Sequence, residues 1–207
     1  MRLLILDAAL SRCLAALVEG EAIQSLRIAE GQHGQAAALP PLAEPVMEGH
    51  LDAVVVCIGP GSFTGVRSAI ALAQGIAAGR GIPVVPVTTG EALVAGCDPY
   101  FPAWAATENR RGQLFLERFG LGGAALGAPL VVAELDLPRP EGPMTWLVGD
   151  GAPRAVARMA ARSWPVALGE TRQIEPLALA AVARRRLAGE LAARPVEPLY
   201  VEPPATT

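Results

Sequence analysis

Two stretches gather residue types that could do chemistry. Asp7 closes the short apolar run at residues 3–6, and residues 57–70 read CIGPGSFTGVRSAI. A glycine bend between an apolar strand and a helix N-terminus is an anion site in kind, because backbone N–H groups converge there and the helix dipole is positive. Ser62 or Thr64 can cap the helix. Asp7 could position a metal-bound water or hold a turn. Specific phosphate patterns do not fit. A Walker A loop would take Gly65 as its second glycine, but Pro60 stands where the first is needed and Val66-Arg67 replaces Lys-Ser/Thr. A dinucleotide fingerprint accommodates Gly59 and Gly61 and fails at Thr64.

Other chemistries meet similar obstacles. All 17 basic residues are arginine, which excludes Schiff-base and Walker lysines. His33 and His50 stand 17 positions apart with no carboxylate at ligand spacing, so no metal centre is expected. GPGSFTG is not a nucleophile elbow. Cys13, Cys57 and Cys97 are too scattered for a disulfide framework or zinc knuckle and read as small core residues in a reducing compartment. The net charge of -3 is far from that of an extended nucleic-acid surface.

These residues need elements to position them. The chain of 207 residues, 52% hydrophobic and 4% aromatic, makes an aliphatic, alanine-rich core in one domain or two small lobes. Four apolar residues before Asp7 are too few for a signal peptide, and no membrane span is predicted, so a cytoplasmic protein is expected. Residues 3–6 read as a buried strand, and residues 14–18 and 22–28 as a hairpin around Glu19-Gly20. Ala38, Leu42 and Val46 have helical spacing, but Pro40, Pro41 and Pro45 predict a kinked or broken helix. Residues 54–58 form a second buried strand, and a helix runs over about 64–78 to Gly79-Arg80-Gly81. IPVVPV is a third strand, and Thr88-Thr89-Gly90 opens a short helix.

That order is a ribonuclease-H-like α/β unit. The break at residues 96–104 sets the domains as 1–98 and 99–207. In the second half, LFLERF and TWLV read as strands, with helices through Ala161 and over 176–188. It could be a decayed copy of the first fold.

The helix after the bend is apolar on more than one face. Ala69, Ala73 and Ala77 repeat at i+4, Ser68, Gly75 and Ala78 add small residues, and Ile70, Leu72 and Ile76 add bulk. Small residues at that spacing admit a closely packed helix, from the 39–47 segment or from another chain; periodicity leaves both open.

The run GPGSFTGVRSAIALAQGIAAGRGIPVVPVTTGEAL, residues 59–93, closely resembles the signature of the TsaB (YeaZ) family. LLILDAA at the start, His33 with Leu39-Pro40, ENRRGQLF at 108–115, VGDGA at 148–152 and EPLY at 197–200 resemble further landmarks in order. The resemblance implies an α/β fold of two ribonuclease-H-like lobes, of the acetate kinase, sugar kinase, Hsp70 and actin superfamily, with the second lobe reduced. It implies a non-catalytic dimerisation subunit that pairs with a TsaD homologue and recruits the ATPase TsaE. The assembly transfers threonylcarbamoyl to the adenosine beside the anticodon, so tRNA is met through the complex. Alone, the chain is expected to form a homodimer.

The partner surface implied is the two helices, with Leu39, Leu42, Val46, Phe63, Arg67, Ile70, Ala73, Gln74 and Ala77. No cofactor is expected. Any weak nucleotide binding would use Asp7, Ser11, Gly59, Gly61 and Ser62, but the family's hydroxyls after the first Asp are here Ala8 and Ala9. The alternative is a small ATP-dependent, kinase-like enzyme of the same superfamily. Arg110-Arg111 and Arg184-Arg185-Arg186 could approach tRNA or serve a hairpin turn and a solvated helix end. Glu202 stands where a basic residue often follows the final Tyr.

Overall fold

Leu3–Leu6 and Val54–Val56 are apolar without alternation, and such runs are stable only where both faces of a sheet are covered. The structure, a computed structural model, describes residues 1–31, 34–97, 100–109, 111–142 and 144–201. It places these runs at the centre of one sheet: β1 (Arg2–Asp7) lies parallel to β4 (Ala53–Cys57), with Leu3 opposite Ala53. β2 (Arg12–Glu19) and β3 (Ala22–Glu30) form the antiparallel hairpin, turning at Gly20 with φ +56°. β5 (Val84–Val87) pairs parallel to β4, giving the order β3-β2-β1-β4-β5. Pro86 sits in β5, which is an edge strand, where a missing ladder donor is tolerated.

Helix α1 (Gln35–Ala43) runs through Pro40 and Pro41, and the chain then tightens into a 3₁₀ turn at Glu44–Val46. The predicted break therefore falls at Glu44-Pro45, not within the helix. Helix α2 (Phe63–Arg80) begins with Ser62 Oγ accepting the Gly65 N–H at 3.3 Å and ends at Gly81, φ +65°. α1 and α2 pack together on one face of the sheet. α3 (Thr89–Val94) follows β5.

The second unit repeats this plan strand for strand. β6 (Ala103–Glu108) and β7 (Leu114–Phe119) form an antiparallel hairpin extended by β8 (Leu130–Val132). β9 (Thr145–Val148) lies parallel to β6, helix α4 (Ala152–Ala160) follows, and β10 (Val166–Leu168) is parallel to β9. The order β10-β9-β6-β7-β8 mirrors the first sheet. A 3₁₀ turn at Glu134–Asp136 stands in the position of α1, so this copy is reduced. Its core joins Trp104, Leu114, Leu116, Leu147, Ala155 and Met159.

The chain then returns. Helix α5 (Pro176–Leu187) touches every strand of the first sheet and covers the face that α1 and α2 leave. The first unit is thus Met1–Ala92 with Ile174–Leu199, and the second is Leu93–Gln173 with the residues from Tyr200. This differs from the linear division 1–98 and 99–207, because the apolar face of α5 is needed to close the first sheet. His33, Arg110 and Glu202 lie outside the described residues. No described helix is long and apolar enough to cross a membrane.

Candidate functional site

The first sheet brings Asp7, the Ala8-Ala9 turn and the bend at 59–62 together at the carboxyl ends of β1 and β4. Asp7 is 1% exposed, and its Oδ1 accepts the Ala9 N–H at 3.0 Å. Burial pushes its pKa up to about 6, opposed by the Ala9 N–H, the Cys57 thiol, the Arg12 charge and the Ala8 N–H. Arg12 reaches away from it with Nη2, donating to the Ile174 carbonyl at 2.6 Å and to Glu175 Oε1 at 2.7 Å. Arg12 thereby fastens the start of β2 to the point where the chain re-enters the unit.

The bend is tied to its own chain. Ser62 N–H donates to the Ala9 carbonyl at 2.7 Å, and a methyl group at Gly61 would overlap that same carbonyl. Only glycine permits so close an approach. Thr89 N–H donates to the Gly59 carbonyl at 2.8 Å, and Thr89 Oγ1 donates to the Pro60 carbonyl at 2.7 Å and meets Cys57 Sγ at 3.4 Å. The Ser62 and Gly65 amides, which a phosphate would need, are occupied by Ala9 and by the Ser62 hydroxyl. Ser11 lies just before β2, where its carbonyl accepts the Gly31 N–H at 3.1 Å.

The second unit repeats the device. Gly151 N–H donates to the Ala106 carbonyl at 3.0 Å, and a side chain at Gly149 would overlap it. Asp150 Oδ1 accepts the Glu108 N–H at 3.0 Å, while burial pushes the Asp150 carboxyl above its ordinary value. Among the described residues no three His, Cys, Asp or Glu side chains are grouped to hold a metal; His50 pairs with Asp52 at 2.9 Å on the surface.

The expected partner residues divide. Leu39, Val46, Ile70, Ala73 and Ala77 are buried in the first unit's own core, and Leu42 is half-buried. The five buried residues offer no surface to a partner while the unit is folded, so the Ala69-Ala73-Ala77 ridge is corrected to a seat for its own sheet and α1. Phe63, Arg67 and Gln74 are exposed, Phe63 at 51% with the Arg67 guanidinium 3.9 Å over its ring. With them on the outer side of α2 lie Thr64, Ala71, Gly75 and Ala78, all exposed. The small-residue stripe open to another helix is this one.

One polar cluster is not foreseen from the sequence. Thr88 and Glu91 cap α3 reciprocally: Thr88 N–H donates to Glu91 Oε2 at 2.9 Å, and Glu91 N–H donates to Thr88 Oγ1 at 3.0 Å. Glu91 Oε1 also accepts from Arg186 at 2.7 Å and Arg194 at 3.0 Å. The T-x-x-E spacing was visible; its two arginines were not. Arg184 and Arg186 donate to the Gly20 and Pro86 carbonyls, and Arg185 pairs with Glu190 at 3.4 Å, so the arginine run at the end of α5 is largely structural.

Two ribonuclease-H-like units of one strand order, joined in a single chain, define the actin-like and sugar-kinase class of folds. A family model described as TsaD, tRNA N6-adenosine threonylcarbamoyltransferase, matches residues 42–145, half of the chain. The chain belongs to this family, on its TsaB (YeaZ) branch. It is similar to the tRNA threonylcarbamoyladenosine biosynthesis protein TsaB of Haemophilus influenzae, 35% identical over 99 residues, covering 45% of this chain and 42% of that one. To the protein of the same name from Escherichia coli it is 29% identical over 131 residues, covering 56% and 53%. The chain spans about half the length of these curated relatives. The solved structure of YeaZ from Pseudomonas aeruginosa shares the fold, with a TM-score of 0.77 at 24% identity, covering 96% of this chain and 99% of that one.

Proposed function

We propose that this chain takes part in tRNA threonylcarbamoyladenosine biosynthesis as a non-catalytic subunit, docking a TsaD homologue against the outer side of α2. The observation that carries the reading is the pairing of a closed bend with an open helix. The bend gives the Ser62 N–H to Ala9 and accepts from Thr89 at the Gly59 and Pro60 carbonyls, while α2 presents Phe63, Arg67, Ala71 and Gly75 outward. Small residues let a second helix approach to about 8–10 Å between axes, and Phe63 supplies an aromatic anchor. In this reading the chain self-associates through the same side when alone, recruits TsaE only as part of the pair, and meets tRNA through its partner. The names of the curated relatives support the pathway.

Reconstitution tests it. Purified TsaD homologue, TsaE, substrates and tRNA are combined with and without this chain, and nucleosides are measured by mass spectrometry. Modified nucleoside is expected only with all components, and none from the chain alone. Product formed by this chain without the TsaD homologue would overturn the non-catalytic assignment. The kinase-like alternative has the buried Asp7 at the end of β1 in its favour, and calorimetry with magnesium ATP separates the two: micromolar binding to the isolated chain would revive it.

A further inference from the structure

The chain leaves the first unit through residues 190–199, a segment without helix or strand that runs from the end of α5 to the end of β4. Its first residue, Glu190, is held by Arg185 through the Glu190 N–H at 2.9 Å and the carboxylate at 3.4 Å, and beyond it four described hydrogen bonds fasten the segment. Arg186 Nε donates to the Ala192 carbonyl at 3.0 Å, and Arg194 Nε to Glu91 Oε1 at 3.0 Å. Gln74 Nε2, from α2, donates to the Val196 carbonyl at 3.3 Å, and Leu199 N–H to the Ile58 carbonyl at 2.8 Å.

These fastenings differ in strength. At the ends the partners are sheltered: the Arg186 side chain is 6% exposed, and Ile58 is buried. In the middle, the Arg194 side chain is 32% exposed and Gln74 lies on the surface. Hydrogen bonds reached by solvent, in a segment with no ladder of its own, open at low cost. Glu91 is a fixed anchor, since the Thr88 N–H and Arg186 hold its carboxylate independently of Arg194.

Gln74 belongs to the outer flank of α2. A helix docked over Ala71 and Ala78 has a diameter of about 10–12 Å with its side chains and lies about 8–10 Å away between axes. A segment bonded to the Gln74 amide lies within the space that helix needs. We propose that residues 190–199 are a releasable strap over the Gln74 flank of α2, closed by the Arg194–Glu91 ion pair, so that strap release and partner docking are linked. This rests on the docking function proposed above. A ligand that binds only the open form gains affinity by the factor by which the closed form was favoured.

The test uses the full chain with Arg194→Ala, Arg194→Lys and Ala71→Arg. Self-association is measured by sedimentation over a concentration series, and opening by exchange of the Leu199 amide, whose N–H the Ile58 carbonyl holds. Arg194→Ala is expected to speed exchange there about tenfold, leave β1 and β4 unchanged, and tighten association several-fold. Arg194→Lys, which keeps one ionic donor, falls between. Faster exchange with association unchanged or weakened overturns the strap as a mask, and unchanged exchange overturns it as releasable. Ala71→Arg reports on docking separately: if it abolishes association while Arg194→Ala leaves association unchanged, docking stands and the strap falls. If neither the native chain nor any variant associates, both readings fall.

Discussion

The Ser62 amide and the Ala9 carbonyl meet at 2.7 Å, joining the bend before α2 to the turn after β1. Asp7 holds the other side of that turn through the Ala9 N–H at 3.0 Å. A buried carboxylate, a two-alanine turn and a helix N-terminus thus form one continuous hydrogen-bonded path.

The closeness of that path makes Gly61 sensitive. Gly61→Ala drives a methyl into backbone, which cannot rotate aside, and is expected to cost about 1–3 kcal/mol in urea unfolding. Gly75→Ala, on the open side of α2 with nothing near its added methyl, is expected to stabilise by about 1 kcal/mol.

Asp7 gives a pH signature. Its folded pKa of about 6 lies above the ordinary 3.8, so its contribution to stability is fully present below about 3.8 and is lost as pH rises through 6. At pH 7–8 the ionised, buried group costs on the order of 3 kcal/mol. Asp7→Asn, which can still accept from Ala9, is expected to be more stable than the native chain at neutral pH, with the difference closing between pH 6 and 4. Unfolding curves across that range check it, and a constant difference would contradict it.

Glu91 and Arg186 are 10% and 6% exposed, a sheltered pair at 2.7 Å. Glu91→Ala leaves the guanidinium unpaired and removes the α3 cap, with an expected loss of about 3–5 kcal/mol. Denaturant unfolding measures it. Arg185→Ala, removing an exposed partner of Glu190, is expected to cost less than about 1 kcal/mol.

The two rows of small residues on α2 should separate in experiment. Ala73→Arg puts a charge into the first unit's core and is expected to unfold it, whereas Ala71→Arg leaves the melting temperature near native and removes association. Thermal unfolding with light scattering distinguishes them. An Ala71→Arg protein that still associates would contradict docking through α2.

Much of this was readable along the chain. The buried strands at 3–6 and 54–58, the hairpin at Gly20 and the helix ended by Gly81 follow from local patterns, because hydrophobic period and turn chemistry act within a few residues. The failure of the phosphate patterns at Pro60 and Thr64 was equally legible, whereas the second half suggested only a decayed copy, and its short strands Leu130–Val132 and Val166–Leu168 were not read.

What folding alone decided was phase and destination. α2 carries Ala69-Ala73-Ala77 on one side and Ala71, Gly75 and Ala78 on another, and composition is nearly the same on both. Only packing against the sheet and α1 chose which row to bury. α5 could not be assigned to the first sheet, nor Glu91 to arginines 95 and 103 positions away, from any local signal. Periodicity is a property of neighbours in the chain, whereas burial and charge pairing belong to neighbours in space, and the long return of the chain separates the two.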